Sequence, residues 1–241
     1  MATDLLSSNI LFVDIETVTA EASYDELSPI VQKAWDRKAE FFRDADTKSS
    51  AELFQERAAL YAEFGKIISI TVGYFHTLED EKTELRIKCI AHKDEAEVLK
   101  EFKETVKRFD QNRLRLCAHN GRDFDYPYLC RRMLIHGIEL PASLHLMNKK
   151  AWEVPHLDTM EMWKFGEYKK FVPLDLLASL FNVDVDPDTL LDARQIQQIY
   201  YQEEDLKKMT PSCYQNIRVL AQVYLSMMSQ PQVPEELITT V

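Results

Sequence analysis

The stretch Asn9-Ile-Leu-Phe-Val-Asp-Ile-Glu-Thr17 constrains the fold more than any other part of the chain. Four consecutive apolar residues, Ile10 to Val13, run into Asp14, and Glu16 follows after the single apolar Ile15. A short apolar run of this kind fits a central strand better than a helix. Side chains at i and i+2 of a strand share one face, so Asp14 and Glu16 stand side by side, about 7 Å apart along the chain. Two like charges at the end of a buried strand repel, and burial makes each ion costlier. A compensating cation is called for, either Arg, Lys or a divalent metal, and no basic residue lies nearby in sequence.

The rest of the chain predicts what surrounds that strand. Residues 25–64 have helical spacing, with Ser28-Pro29 as an N-cap and first-turn pair and Gly65 as the stop of a helix that begins near Ser49. KIISITVGYFH (66–76) and ELRIKCIAH (84–92) are β-rich and joined by an acidic turn, which predicts a hairpin. Residues 94–109 read as a helix, RLRLCAHN (113–120) as a strand, and most of the chain beyond 126 as helical, including EEDLKKM (203–209) and residues 213–228. Strand, hairpin, helix, strand and a helical second half indicate an α/β fold with a mixed central sheet flanked by helices. The expectation is one domain over 1–241, with a core from about 9 to 228 and a loosely held tail at 229–241.

Composition excludes several classes. Of the 241 residues 46% are hydrophobic and 29% charged, as in an ordinary soluble protein, and no stretch is long enough to span a membrane. Cys89, Cys117, Cys130 and Cys213 are scattered without a C-x-x-C pair, so neither a disulfide framework nor a zinc site is expected, and a reducing cytoplasm is. The net charge of −11 argues against broad duplex binding, which depends on neutralising many phosphates, but not against a local groove that grips a few nucleotides. Neither glycine-rich phosphate motif occurs.

The second chemical cluster is His119-Asn-Gly-Arg-Asp-Phe-Asp125, where a strand gives way to a helix. Strand ends of open α/β sheets gather sites, and Asp125 there can join Asp14 and Glu16 around divalent ions. Oxygen-only ligands favour Mg²⁺ or Mn²⁺. FVDIET followed about a hundred residues later by AHNGRDFDYPYL resembles the first two motifs of the DEDD superfamily of 3′→5′ exonucleases. Within it, the chain resembles the predicted exonucleases similar to the proofreading domain of family B DNA polymerases, with further likeness in CRRMLIHGIELP, WEVPHLDTMEMWKFG and LDLLASLF. The resemblance implies a ribonuclease-H-like fold and two-metal removal of nucleotides from single-stranded or frayed 3′ ends of DNA, with RNA left open. It implies that Asp14 bridges both metals, that Glu16 holds the nucleophile-side metal, and that Asp125 holds the other. Thr17, Asn120 and Phe124 are candidate substrate contacts, with an Asx turn before Gly121 and core packing as the competing readings of Asn120 and Phe124.

The third motif departs from the family. Counting back from AQVYL (221–225), Ser212 stands where the family has Tyr and Asn216 where it has Asp. Asn216 can still ligate through a neutral carbonyl, as a weaker fourth ligand. Tyr214 points away on a helix, and Asp158 and Asp205 are carboxylates that could swing in. Ala193-Arg194 replaces the small residues usual after an Asp. Two functions follow. One is an exonuclease, possessing Asp14, Glu16, Asp125 and Asn216, with reduced or Mn²⁺-dependent activity. The alternative is a catalytically impaired nucleic-acid-binding or scaffolding protein on the same fold. A cytoplasmic location, no membrane association, and a repair or replication partner that brings the protein to an end complete the expectation. Phe124, Tyr126, Tyr128, Trp163, Phe165 and Tyr168 are candidate stacking faces, core packing being the simpler reading of most, and the lysines of NKKAW and KFGEYKK are candidate backbone contacts, a solvated charged face being the simpler reading of these.

Overall fold

Strand β1 (Ile10–Thr19) divides the molecule into two apolar layers. The computed structural model describes residues 9–110, 113–168 and 171–241. Because side chains alternate along a strand, Leu11, Val13 and Ile15 enter one cluster while Ile10 and Phe12 enter another on the opposite face. A helical layer follows, α1 (Pro29–Ala39) and α2 (Ser50–Arg57), built on its own aromatic cluster around the fully buried Trp35. Trp35 Nε1 donates to the Ser50 carbonyl at 2.8 Å, so its one polar atom is satisfied. Ser49 and Glu52 cap α2 reciprocally. This helix ends at Arg57 and tightens into a 3-10 turn over Ala58–Leu60, short of the predicted stop. Gly65 instead opens β2 (Gly65–Thr77), where a Cβ would lie 2.4 Å from the Tyr128 hydroxyl.

The predicted hairpin forms from β2 and β3 (Thr83–Ala91), antiparallel throughout. Next come α3 (Glu95–Val106), β4 (Arg115–Ala118), α4 (Asp125–Ile135), β5 (Leu157–Asp158) and α5 (Thr159–Lys164). The remaining elements are α6 (Leu174–Leu180), α7 (Ala193–Gln198), α8 (Thr210–Met227) and β6 (Ile238–Thr240). The six strands are ordered β5-β4-β1-β2-β3-β6; β1 is antiparallel to β2 and parallel to β4. This is an α/β fold of ribonuclease-H-like type, with α3 and α4 covering one face of the sheet and α8 the other.

Two expectations are corrected here. EEDLKKM forms a single 3-10 turn, Leu206–Met209, capped by Asp205. The tail is not loose: β6 pairs in parallel with β3, and Gln222 grips Val233 by both its amide and its carbonyl, at 2.9 and 2.7 Å. A three-residue strand preceded by two prolines has no local signature, and side-chain anchoring of this kind is a tertiary fact.

Candidate active site

On β1, Asp14 lies opposite Thr71 and Glu16 opposite Ser69 of β2. The register then slips, Thr17 pairing with Ile67, so Ile68 has no partner on β1. Such bulges bend a strand and re-aim side chains, and this one sits directly after the second carboxylate. On its other side β1 pairs with β4 only through Ile10 to Phe12, leaving its second half with an open backbone edge. Asp125, the first residue of α4 and 4% exposed, faces that edge, where the nearby Ile15 backbone amide slightly lowers its proton affinity. Asp14 and Glu16 therefore reach the site from the sheet, and Asp125 from a helix start.

The electrostatics follow from burial. It lifts the Asp14 carboxyl to about 6, against the opposing hydrogen bond of Asn216. Glu16 is held well above the usual carboxylate range by burial first and then by repulsion from Asp14 and Asp125. Asp125 is raised likewise, by burial and by Asp14. Asn216 of α8 faces this group: its Nδ2 donates to Asp14 Oδ2 at 3.1 Å and lies 3.5 Å from Glu16 Oε1. A neutral donor thus sits where a charge-bearing partner would be expected. Among the described residues, no three His, Cys, Asp or Glu side chains stand close enough together to hold a metal ion. The donor chemistry nevertheless fits a hard divalent cation: three carboxylates, buried or half-buried, with raised proton affinity and, among the described residues, no Lys or Arg close enough to offset it.

The other third-motif position is closed. Ser212 is 2% exposed, and its Oγ accepts the Leu191 amide at 3.2 Å. Tyr214 packs against the α8 side of the core. Neither spare carboxylate swings in. Asp205 accepts the Lys207 amide, and Asp158 is a buried clasp. Its Oδ1 accepts from the amides of Asn120 and Met160, at 3.0 and 2.9 Å, and its Oδ2 from that of Arg122 at 3.0 Å. It thereby ties the start of α5 to the turn that launches α4. In that turn Asn120 adopts a left-handed φ of 65°, and its carbonyl accepts from the amides of Asp123 and Phe124. His119 is similarly spent, on Thr159 and the Val172 carbonyl.

A cleft of about 670 Å³ opens above the carboxylates. Asp14, Glu16, Thr17, Phe124 and Asn216 line it; Asn120 and Asp125 do not. The Thr17 hydroxyl is bound to the Ala59 carbonyl at 2.9 Å, and Phe124 leans on Tyr128 with ring centroids 5.3 Å apart. The remaining walls were missed by sequence reasoning: Lys48, Gln55 and Glu56 from the α1–α2 layer, and Gln197 of α7, with Arg194 noticed only as a departure. Phe165 and Tyr168 are exposed but outside the cleft, Trp163 packs on Phe181, and Lys169 and Lys170 lie outside the described residues.

The strand order and the acidic end of β1 define an exonuclease-like domain. The family model of predicted 3′-5′ exonucleases related to the exonuclease domain of PolB matches residues 59–232, and the chain belongs to that family. No curated protein matches the chain. Among solved structures it is similar to the family B DNA polymerase from the hyperthermophilic archaeon Pyrobaculum calidifontis, with a TM-score of 0.52 and 16% identity. The likeness covers 93% of this chain and 26% of the polymerase chain, and it is one of fold. Among the described residues no helix is long and apolar enough to cross a membrane.

Proposed function

We propose that the protein is a 3′→5′ exonuclease that takes a single-stranded or frayed DNA end into the cleft, with hydrolysis attenuated by Asn216 and Ser212. Asp14 and Glu16 on the floor of the cleft, with Asp125 near enough to raise the proton affinity of Glu16, carry this reading. Asp14, Glu16 and Asp125 would hold Mg²⁺ or Mn²⁺, with Asn216 as a neutral fourth ligand. Such ions, when bound, supply a water acidified toward neutral pH and charge stabilisation for the leaving oxygen. The chain's own residues do the positioning. Asp158 fixes the turn that carries Asp125, and Phe124 offers a ring to the terminal base. Asn216 must rotate its amide to turn Oδ1 toward the carboxylates, exchanging a donor for an acceptor. No hydroxyl comes from position 212 to orient the attacking water, because Ser212 is turned to Leu191. Residues 1–241 act as one domain in this reading, in the cytoplasm, and a repair or replication protein delivers it to the end.

The donor geometry of Asn216 favours a second reading, strand binding without hydrolysis. An assay on a 5′-labelled single strand with Mg²⁺ or Mn²⁺ separates the two, run on the parent, Asn216→Asp and Asp14→Ala. Shortened products from the parent, lost in Asp14→Ala, establish the exonuclease. Products from Asn216→Asp alone establish the binding protein. Silence from all three overturns the exonuclease and leaves strand binding to a direct binding measurement.

A further inference from the structure

The cleft has an acidic floor, and a nucleic-acid strand is itself an anion, so its approach to a protein of net charge −11 needs local cations. Among the described residues the cleft is lined by two, Lys48 just before α2 and Arg194 of α7. They converge on one carboxylate. Glu56 Oε2 lies 2.5 Å from Lys48 Nζ, and Glu56 Oε1 lies 3.9 Å from an Arg194 guanidinium nitrogen. Asp44, the other acid near Lys48 at 3.2 Å, is already held through both oxygens by Arg57, at 2.7 and 2.8 Å. Arg194 is 85% exposed at its side chain, and an ion pair that long and that exposed contributes little. The backbones carrying the two cations are braced, because Gln197 of α7 donates to Gln55 of α2 at 2.6 Å.

We infer that Lys48 and Arg194 form a phosphodiester clamp across the mouth of the cleft, occupied by the Glu56 carboxylate until a single-stranded nucleic-acid backbone displaces it. The inference rests on the exonuclease reading for its ligand but not on hydrolysis. A phosphodiester accepts charge-assisted hydrogen bonds from both cations at once, which Glu56 does only with Lys48 at close range. Glu56 thereby acts as an internal competitor that sets a threshold for entry.

Anisotropy of a short fluorescein-labelled oligothymidine, titrated with protein in EDTA over a range of salt, tests the clamp. Lys48→Ala and Arg194→Ala should each weaken binding roughly tenfold. Each should also make the dependence of log K on log salt shallower by about 0.7. Glu56→Gln should tighten binding several-fold. Lys100→Ala, which removes an exposed charge from α3 paired with Glu97, should leave it unchanged. If the parent binds and either cation variant keeps the parent's affinity and slope, the clamp is overturned and the exonuclease reading stands. If the parent binds neither in EDTA nor with Mn²⁺, the reading and the clamp fall together.

Discussion

The side-chain amide of Asn216 donates to Asp14 across the gap between α8 and β1, 202 residues apart in sequence. A carboxylate at 216 would replace that hydrogen bond by repulsion. Asn216→Asp should therefore melt below the parent in EDTA, by on the order of 1–3 kcal/mol. Added Mn²⁺ should raise its melting temperature more than the parent's, because the fourth charge then has a partner. Identical responses of the two proteins to Mn²⁺ would rule out position 216 as part of a cation site.

Acidity gives a second prediction. Asp14 is lifted by burial from 3.8 to about 6, so the metal-free folded protein keeps a proton that the unfolded chain releases. The folded state binds more protons between those values, and stability falls as pH rises through that interval, levelling off above it. Asp14→Asn removes this group's contribution while leaving Asn216 an acceptor. Its stability relative to the parent should rise across the interval, by on the order of 1–3 kcal/mol. Chemical denaturation in EDTA at several pH values checks it; a constant difference would refute the shift.

Asp158 is 2% exposed and its carboxylate answers backbone amides on both the α4 turn and α5. Asp158→Ala leaves these donors unpaired and should cost about 2–4 kcal/mol. Asp158→Asn should cost about half as much, since one oxygen remains while the new amide meets the Arg122 N–H. Urea titrations distinguish the pair; equal losses would mean that the oxygen kept for the Asn120 and Met160 amides carries no weight.

Restoring the family's Tyr by itself should not restore chemistry. Ser212 is enclosed and holds the Leu191 amide, so Ser212→Tyr overpacks the turn before α7 at a cost of about 1–3 kcal/mol. Its rate of nucleotide release should not exceed the parent's, whereas Asn216→Asp should. A faster Ser212→Tyr enzyme would show that the turn opens readily.

Much of this was readable in the chain because strands and helix starts are local. Asp14 and Glu16 share a face by the period of two, and Asp125 begins a helix whose apolar residues follow at once. Asn216 came from the resemblance, by counting back from AQVYL to the family's third motif. The cleft's other walls could not be read. Lys48, Gln55 and Glu56 reach it only because the α1–α2 layer packs on Trp35 and is tied to α7 through Gln55 and Gln197, 142 residues apart. Asp158 looked like a spare carboxylate because its amide partners come from Asn120 and Arg122, far upstream as well as from its own helix start. β6 is three residues long, and what holds the segment before it is the side chain of Gln222.

The half-paired state of β1 bears on how any knockout here is to be interpreted. Beyond Phe12 no strand among the described residues pairs with its second edge, and side chains stand there instead: Gln197 accepts the Thr19 amide at 3.4 Å, and the Asp125 carboxylate faces the Ile15 amide. An uncovered edge is a template for another chain. Asp125→Ala would strip a candidate ligand and at the same stroke expose a sticky margin, so a dead and aggregating variant would report on solubility as much as on chemistry. Asp125→Asn, which keeps the side chain's shape and a carbonyl oxygen facing Ile15, leaves the margin covered and the loss of charge as the main variable.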